Sequence, residues 1–193
     1  MKPFALHLLR HGAPEVPGLM LGHSDMAPTS DGIAACAAQV GDLHFERILS
    51  SDLARCRRAA EHIGAAHHVE AIIDPRWREM NFGAWDGQSA TALDPALLER
   101  FWADPDDSPP PEGESWSALV GRVSAALAEL AEQAPVPTLV VTHAGAIRAA
   151  LHQLCGFPLK SLWSFSLPYG ALISLTIWPD GDRTDTQIER LQP

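Results

Sequence analysis

The chain has 193 residues, 46% of them apolar and 20% charged, which suits one domain whose core needs neither disulfide nor metal. Its 14 Lys and Arg against 24 Asp and Glu leave a net charge of -10, which repels a phosphate backbone and argues against a nucleic-acid partner while leaving room for a small basic pocket. Cys36, Cys56 and Cys155 lie far apart with no CxxC pair, and no apolar run reaches the ~18 residues of a membrane span. A zinc finger, a disulfide framework and a membrane partner are thus poorly supported, and reduced thiols in a cytoplasmic protein are expected. The first 12 residues are apolar but interrupted by His7 and Arg10, and no cleavage-site pattern follows, so the chain reads as mature and soluble.

Residues 4–9 are short and apolar on both faces, which predicts a central strand running into a loop at Arg10-His11-Gly12-Ala13-Pro14. Ser30 is a candidate cap for a helix carrying Ile33, Ala37 and Val40, with Gly41 as its stop. Arg47-Ile48-Leu49 reads as a brief strand, and Ser51-Asp52 as a helix start. Leu53, Cys56, Ala60 and Ile63 form that helix's apolar face, and Gly64 is its expected end, with His67 and His68 in a surface loop. Residues 69–73 read as a strand closed by Asp74-Pro75.

Between residues 88 and 115 the composition changes. Pro95, Pro105 and Pro109-Pro110-Pro111 interrupt it, Asp104, Asp106 and Asp107 acidify it, and Trp102 and Trp116 lie in or beside it. This predicts a helical cap insertion with a proline-rich return. Trp116, Leu119, Val120, Val123, Leu127 and Leu130 then mark a long amphipathic helix. Residues 138–142 read as a buried strand ending at His143. Ile147, Leu151 and Leu154 give a helix stopped by Gly156. Ala171, Ile173, Leu175 and Ile177 alternate as a strand, turned by Pro179-Asp180-Gly181. Alternating strands and helices predict an α/β three-layer sandwich with a mainly parallel sheet, whose ligands sit beyond the carboxyl ends of the strands. Two predicted strands deliver a histidine there, His11 and His143.

Four segments carry chemistry. Arg10-His11-Gly12 offers a planar cation with donors suited to phosphate, an imidazole, and a glycine that lets backbone approach a ligand. Ser51-Asp52-Leu53-Ala54-Arg55 puts Arg55 in the first turn of a helix, where a cation opposes the helix dipole unless an anion binds there. Glu79, ahead of Phe82-Gly83-Ala84-Trp85-Asp86-Gly87, is a carboxylate among apolar residues, expected to have a raised pKa; pairing with Arg76 or Arg78 is its alternative. His143-Ala144-Gly145 brings a second imidazole toward the anion that His11 would meet. The nine histidines also raise a metal-dependent hydrolase, but His7, His67 and His68 lack ligand spacing with carboxylates.

Taken in order, Arg10-His11-Gly12, Ser51 to Arg55, Glu79 with Phe82 to Gly87, Gly113-Glu114-Ser115 and His143-Ala144-Gly145 resemble the histidine phosphatase superfamily, also called phosphoglycerate mutase-like, over roughly residues 4–178. The resemblance implies one domain over residues 1–193 with the cap at about 88–115, and a phosphomonoester hydrolase that works without cofactor or metal. It implies that His11 attacks phosphorus and becomes phosphohistidine, that Glu79 serves as acid and then base, and that Arg10, Arg55 and His143 hold the phosphoryl oxygens. Gly12 and Ala144 join Arg10, Arg55 and His143 in the phosphate- and substrate-binding set. The short architecture resembles α-ribazole-5'-phosphate phosphatases of cobalamin biosynthesis and, nearly as well, broad-specificity phosphatases acting on small-molecule phosphomonoesters. A cofactor-dependent phosphoglycerate mutase and an inactive phospholigand-binding module remain alternatives, and the sequence sets no oligomeric state. The chain departs from the family pattern at Asp86, usually glutamate, at Glu112, usually glycine, and in Met26-Ala27-Pro28-Thr29.

Overall fold

Strand β1 (Phe4–Arg10) is buried along nearly its whole length, a burial that only the middle of a sheet covered on both faces provides. The computed structural model describes residues 2–180 and 183–193. The other strands are β2 (Arg47–Ser50), β3 (Ala71–Ile73), β4 (Thr138–Thr142), β5 (Leu172–Asp180) and β6 (Arg183–Gln192), and the sheet order is β3-β2-β4-β1-β5-β6. The four strands from β3 to β1 run parallel, whereas β5 pairs antiparallel with β1 and β6 antiparallel with β5.

Successive side chains of a strand point to opposite faces, and each face of this sheet finds its own helical layer. Leu6, Leu8 and Val140 pack with α4 (Trp116–Glu132) and α5 (Ala144–Cys155). Leu9, Ile48, Leu139 and Val141 pack with Cys36 and Val40 of α1 (Ser30–Val40) and with Cys56, Ala60 and Ile63 of α2 (Ala54–His67). The result is the expected α/β three-layer sandwich. Helix α3 (Pro95–Ala103) and the short α6 (Leu159–Leu162) add to the α4–α5 side. Among the described residues, no helix is long and apolar enough to cross a membrane.

Several local expectations give way to tertiary context. Thr29, not Ser30, caps α1: its hydroxyl accepts from the Gly32 N–H at 2.9 Å and donates to the Ala13 carbonyl at 3.1 Å. Pro95 starts a helix rather than breaking one, because it stands at the first turn where a missing N–H costs nothing, behind the Asp94 cap. Strand β6 escaped the sequence pattern because an edge strand needs little apolar alternation; it carries only Ile188 and Leu191 among polar residues. Helix α6 is a single turn, too short for a 3.6-residue period to show. The expected turn over Pro179-Asp180-Gly181 reaches Gly181, outside the described residues.

Gly64 does not end α2. The helix continues to His67, with His68 as its left-handed cap (φ 59°), so this pair closes a helix rather than forming a loop. Gly64 is buried, and a Cβ there would collide with the Val69 carbonyl. It is glycine because the chain returns against it. Gly64→Ala should therefore reverse the usual sign of such a change. Where an ordinary helix interior gains up to about 1 kcal/mol, this site should lose about 1–3 kcal/mol by overpacking, read as a lower denaturant midpoint at constant m-value.

Candidate active site

The parallel register of β1 and β4 pairs Arg10 with Thr142, and the His11 N–H donates to the Thr142 carbonyl at 2.8 Å. His11 and His143 therefore leave adjacent strands side by side, with ring centroids 5.0 Å apart. Next door, Ser50 of β2 pairs with Val141, which brings Ser51 and then Arg55 to the same edge.

His11 is buried, and its Nδ1–H donates to the Gly12 carbonyl at 2.8 Å, which puts the ring's lone pair on Nε2. Burial first, then the charges of Arg55 and Arg10, hold its pKa well below the ordinary histidine value. His143 is fully buried and lowered by the same causes, burial leading. Arg55 Nε–H donates to His143 Nδ1 at 3.3 Å, so the ring proton sits on Nε2 and is donated to Ser51 Oγ at 3.0 Å. Both rings are neutral at neutral pH.

Arg55 is fully buried. Its Nη1 donates to the Ser24 carbonyl at 2.7 Å and its Nη2 to Leu21 and Gly22 carbonyls at 3.1 and 2.6 Å. With the bond to His143, four of five N–H groups are used and one on Nη1 remains. Arg10 gives Nη1–H to the Leu167 carbonyl, while its Nε is buried without a hydrogen-bond partner. Among the described residues, neither Arg10 nor Arg55 has a carboxylate within 4.0 Å. Buried, unpaired guanidinium groups are costly and favour an anion.

Glu79 is buried at the same edge. The Thr142 hydroxyl donates to the Trp77 carbonyl at 2.6 Å, tying its segment to the end of β4. Arg122 of α4 gives Nη1 to the Arg76 and Arg78 carbonyls and Nη2 to the Glu79 carbonyl, at 2.7–2.8 Å. Arg76 pairs with Asp74 and Glu129, and Arg78 with Asp52, so the arginines that sequence offered Glu79 are engaged elsewhere. Its carboxylate accepts instead from Met80 N–H (2.9 Å) and Gly145 N–H (3.1 Å).

The structure thus brings Arg10, His11, Arg55, Glu79 and His143 to one edge. Gly12 meets protein there: a Cβ on it would collide with the Gly32 backbone. Ala144 opens α5, whose first N–H groups lack intrahelical partners. Beside Glu79 lies a cavity of about 140 Å³ lined by Met80, Phe82, Phe101, Trp102, Trp116 and Trp163, which Ala144, Gly145 and Arg148 also border. Among the described residues, no cluster of three His, Cys, Asp or Glu side chains could hold a metal ion.

Residues 6–189 match the histidine phosphatase superfamily, branch 1. The chain belongs to that superfamily. It is a phosphatase. It is 30% identical over 185 residues to an adenosylcobalamin/alpha-ribazole phosphatase of Salmonella typhimurium, covering 89% of this chain and 90% of that protein. It is 32% identical over 165 residues to a protein of Erwinia tasmaniensis named as a probable phosphoglycerate mutase, covering 79% and 75%. Its fold superposes on the alpha-ribazole phosphatase of Shigella flexneri with a TM-score of 0.82 at 26% identity, covering 98% of this chain and 96% of that one.

Sequence reasoning gave Asp86, Gly145 and Tyr169 of this phosphatase no task. Asp86 accepts the N–H groups of Gly22, His23 and Ser24 at 2.7–3.0 Å, fixing the loop whose carbonyls hold Arg55. Tyr169 stacks against Arg10 and His11. At Gly145 a Cβ would overlap the Glu79 carboxylate. The motif Trp85-Asp86 and the glycine after Ala144 were visible, but their partners lie about 60 residues away.

Two outcomes follow. Gly145→Ala should displace the Glu79 carboxylate and lower turnover about 10²-fold in a protein that still folds, the scale of a 1 Å misplacement; steady-state kinetics checks this. Because His7, His11 and His143 all have lowered folded-state pKa values, the unfolded chain binds more protons below its histidine value of about 6.5. Stability should be flat above that pH and fall beneath it until the folded-state values are reached, and phosphate should oppose the loss; unfolding midpoints measured with and without phosphate test the sign.

Proposed function

We propose that this phosphatase hydrolyses small-molecule phosphomonoesters in the cytoplasm through a phosphohistidine at His11 Nε2. The observation that carries the reading is the buried, unpartnered Nε of Arg10 next to a neutral His11 whose Nδ1 is tied to Gly12. A free anion donor and a free nucleophilic lone pair belong to neighbouring residues.

His11 Nε2 attacks phosphorus as the ester P–O bond breaks, and Glu79 gives its proton to the departing oxygen. Water then attacks phosphorus, Glu79 takes the water proton, the P–N bond breaks, and its electron pair returns to Nε2. The charge on the equatorial oxygens is met by Arg10, by the remaining Arg55 N–H and by the backbone at Gly12 and Ala144, since positioning and fixed charge supply most of the rate in phosphoryl transfer. His143 joins them by moving its proton to Nδ1, with Nε2 then accepting from the Ser51 hydroxyl. The 3.3 Å bond from Arg55 to His143 is the longest that Arg55 makes, and the one a phosphoryl oxygen would replace.

We read residues 88–115 as a cap on a single domain, with Phe101 and Trp102 supplying cavity walls. A leaving group seated beside Glu79 would meet aromatic faces. Arg148, the guanidinium there, leans on the Trp163 ring and donates to the Leu162 carbonyl at 3.0 Å. That favours a bulky, flat alcohol such as α-ribazole, named for the Salmonella relative, over a carboxylated triose.

The test is phosphate release from α-ribazole-5'-phosphate, a panel of sugar phosphates and 3-phosphoglycerate. Wild type should favour the first over 3-phosphoglycerate by at least about tenfold in kcat/KM, and His11→Ala should lose about 10³-fold or more. Equal, feeble rates across the panel would overturn the substrate; turnover surviving in His11→Ala would overturn the nucleophile.

A further inference from the structure

We infer that Tyr169, the only tyrosine of the chain, is a positioning residue for phosphoryl transfer: its ring holds the Arg10 guanidinium toward the phosphoryl site and screens the His11 imidazole. The inference rests on the phosphohistidine reading above.

Residues 167–171 wrap the Arg10-His11 pair. Arg10 Nη1–H donates to the Leu167 carbonyl, the Arg10 N–H to the Ala171 carbonyl at 2.8 Å, and the Gly170 N–H to the His11 carbonyl at 3.2 Å. Gly170 makes the turn at φ 81°. Held between these contacts, the Tyr169 ring centroid lies 4.2 Å from Arg10 Cζ and 5.4 Å from the His11 ring centroid.

This geometry solves a particular problem. Arg10 must be fixed, yet its donors must stay available. A carboxylate would fix it but would compete with the substrate for the same N–H groups. An aromatic face attracts the cation through its quadrupole and accepts no conventional hydrogen bond in the guanidinium plane. Among the described residues, Arg10 accordingly has no carboxylate partner, one backbone acceptor on Nη1, and a buried Nε left over. The same ring covers one side of His11 with apolar surface, helping to keep the nucleophile desolvated.

Three variants test this: Tyr169→Phe, which keeps the ring, Tyr169→Leu, which keeps apolar bulk without it, and Tyr169→Gln as a second non-aromatic variant on this half-buried position. Leu and Gln should lose about tenfold in kcat/KM and bind vanadate about tenfold more weakly, while Phe stays within about twofold of wild type, the scale of one desolvated cation–π contact. Thermal unfolding should remain near wild type throughout. Wild-type kinetics and vanadate affinity in the non-aromatic variants would overturn the inference, as would a Phe variant as impaired as Leu, which would assign the role to the hydroxyl. His11→Ala run alongside separates the two levels. If it is inactive while Tyr169→Leu behaves as wild type, only the Tyr169 role fails; if it is active, the reading beneath fails.

Discussion

Two guanidinium groups stand at the carboxyl edge of the sheet with no carboxylate within 4.0 Å of them among the described residues, in a protein whose net charge is -10. Acidic residues are plentiful, yet they are spent elsewhere: Asp52 on Arg78, Asp74 and Glu129 on Arg76, Glu114 on Arg122. What holds Arg55 is a set of neutral carbonyl dipoles from Leu21, Gly22 and Ser24. Carbonyls orient a cation without cancelling its charge. In the proposed mechanism, the stability forgone in burying these cations would be recovered when a phosphoryl group arrives. The neutral histidines belong to the same arrangement, since burial first, and then the charges that favour an anion, keep protons off His11 and His143.

Nothing in that field would be aligned without the sheet. One parallel register puts His11 beside His143, and the next puts Ser51 beside Thr142. From there the support spreads outward in a chain of hydrogen bonds: Asp86 holds the loop of residues 22–24, that loop holds Arg55, Arg55 and Ser51 hold the His143 ring. Cys56 contributes packing and a thiol bond to the Thr142 carbonyl at 3.4 Å, and burial keeps it protonated. Glu112 shows the converse of this precision. It takes the left-handed conformation (φ 61°) where glycine is usual in the family, a modest local strain beside the Gly83–Gly113 contact.

What was legible in the sequence divides along physical lines. The buried strands and amphipathic helices announce themselves because burial on a periodic element imposes a period on residue type. His11, His143 and the two arginines announce themselves because each stands where a strand ends or a helix begins, and Glu79 because it is a carboxylate set among apolar and aromatic residues. Gly64 and Gly145 were misread or passed over for one reason: each is glycine because of an atom far away in sequence, the Val69 carbonyl in one case and the Glu79 carboxylate in the other. Thr29 took the capping role from Ser30 because its hydroxyl also reaches Ala13, and no local propensity encodes that second bond. Tyr169 had no motif at all; only the wrapping of residues 167–171 around β1 reveals its place.

Glu79 is the seam between two environments that make opposite demands. On one side lie cations and imidazoles, a setting for a dianion. On the other lies a cavity walled by Trp102, Trp116, Trp163 and Phe101, a setting for apolar rings. In the mechanism proposed above, an ester is cut where its charged and uncharged halves meet, and Glu79, the proposed acid for the bridging oxygen, stands at that boundary. Two backbone N–H groups hold the carboxylate there, and α5 brings one of them close because residue 145 has no side chain. The phosphate side is built from fixed strand ends and spans whatever phosphomonoesters share. The cavity side draws on the first turns of α4 and α5 and on α3, α6 and their loops, and those loops can change in sequence without disturbing the register of β1 and β4. On the proposed mechanism, selectivity among substrates and the chemistry common to all of them would thereby be carried by different parts of the chain, joined at the Glu79 carboxylate.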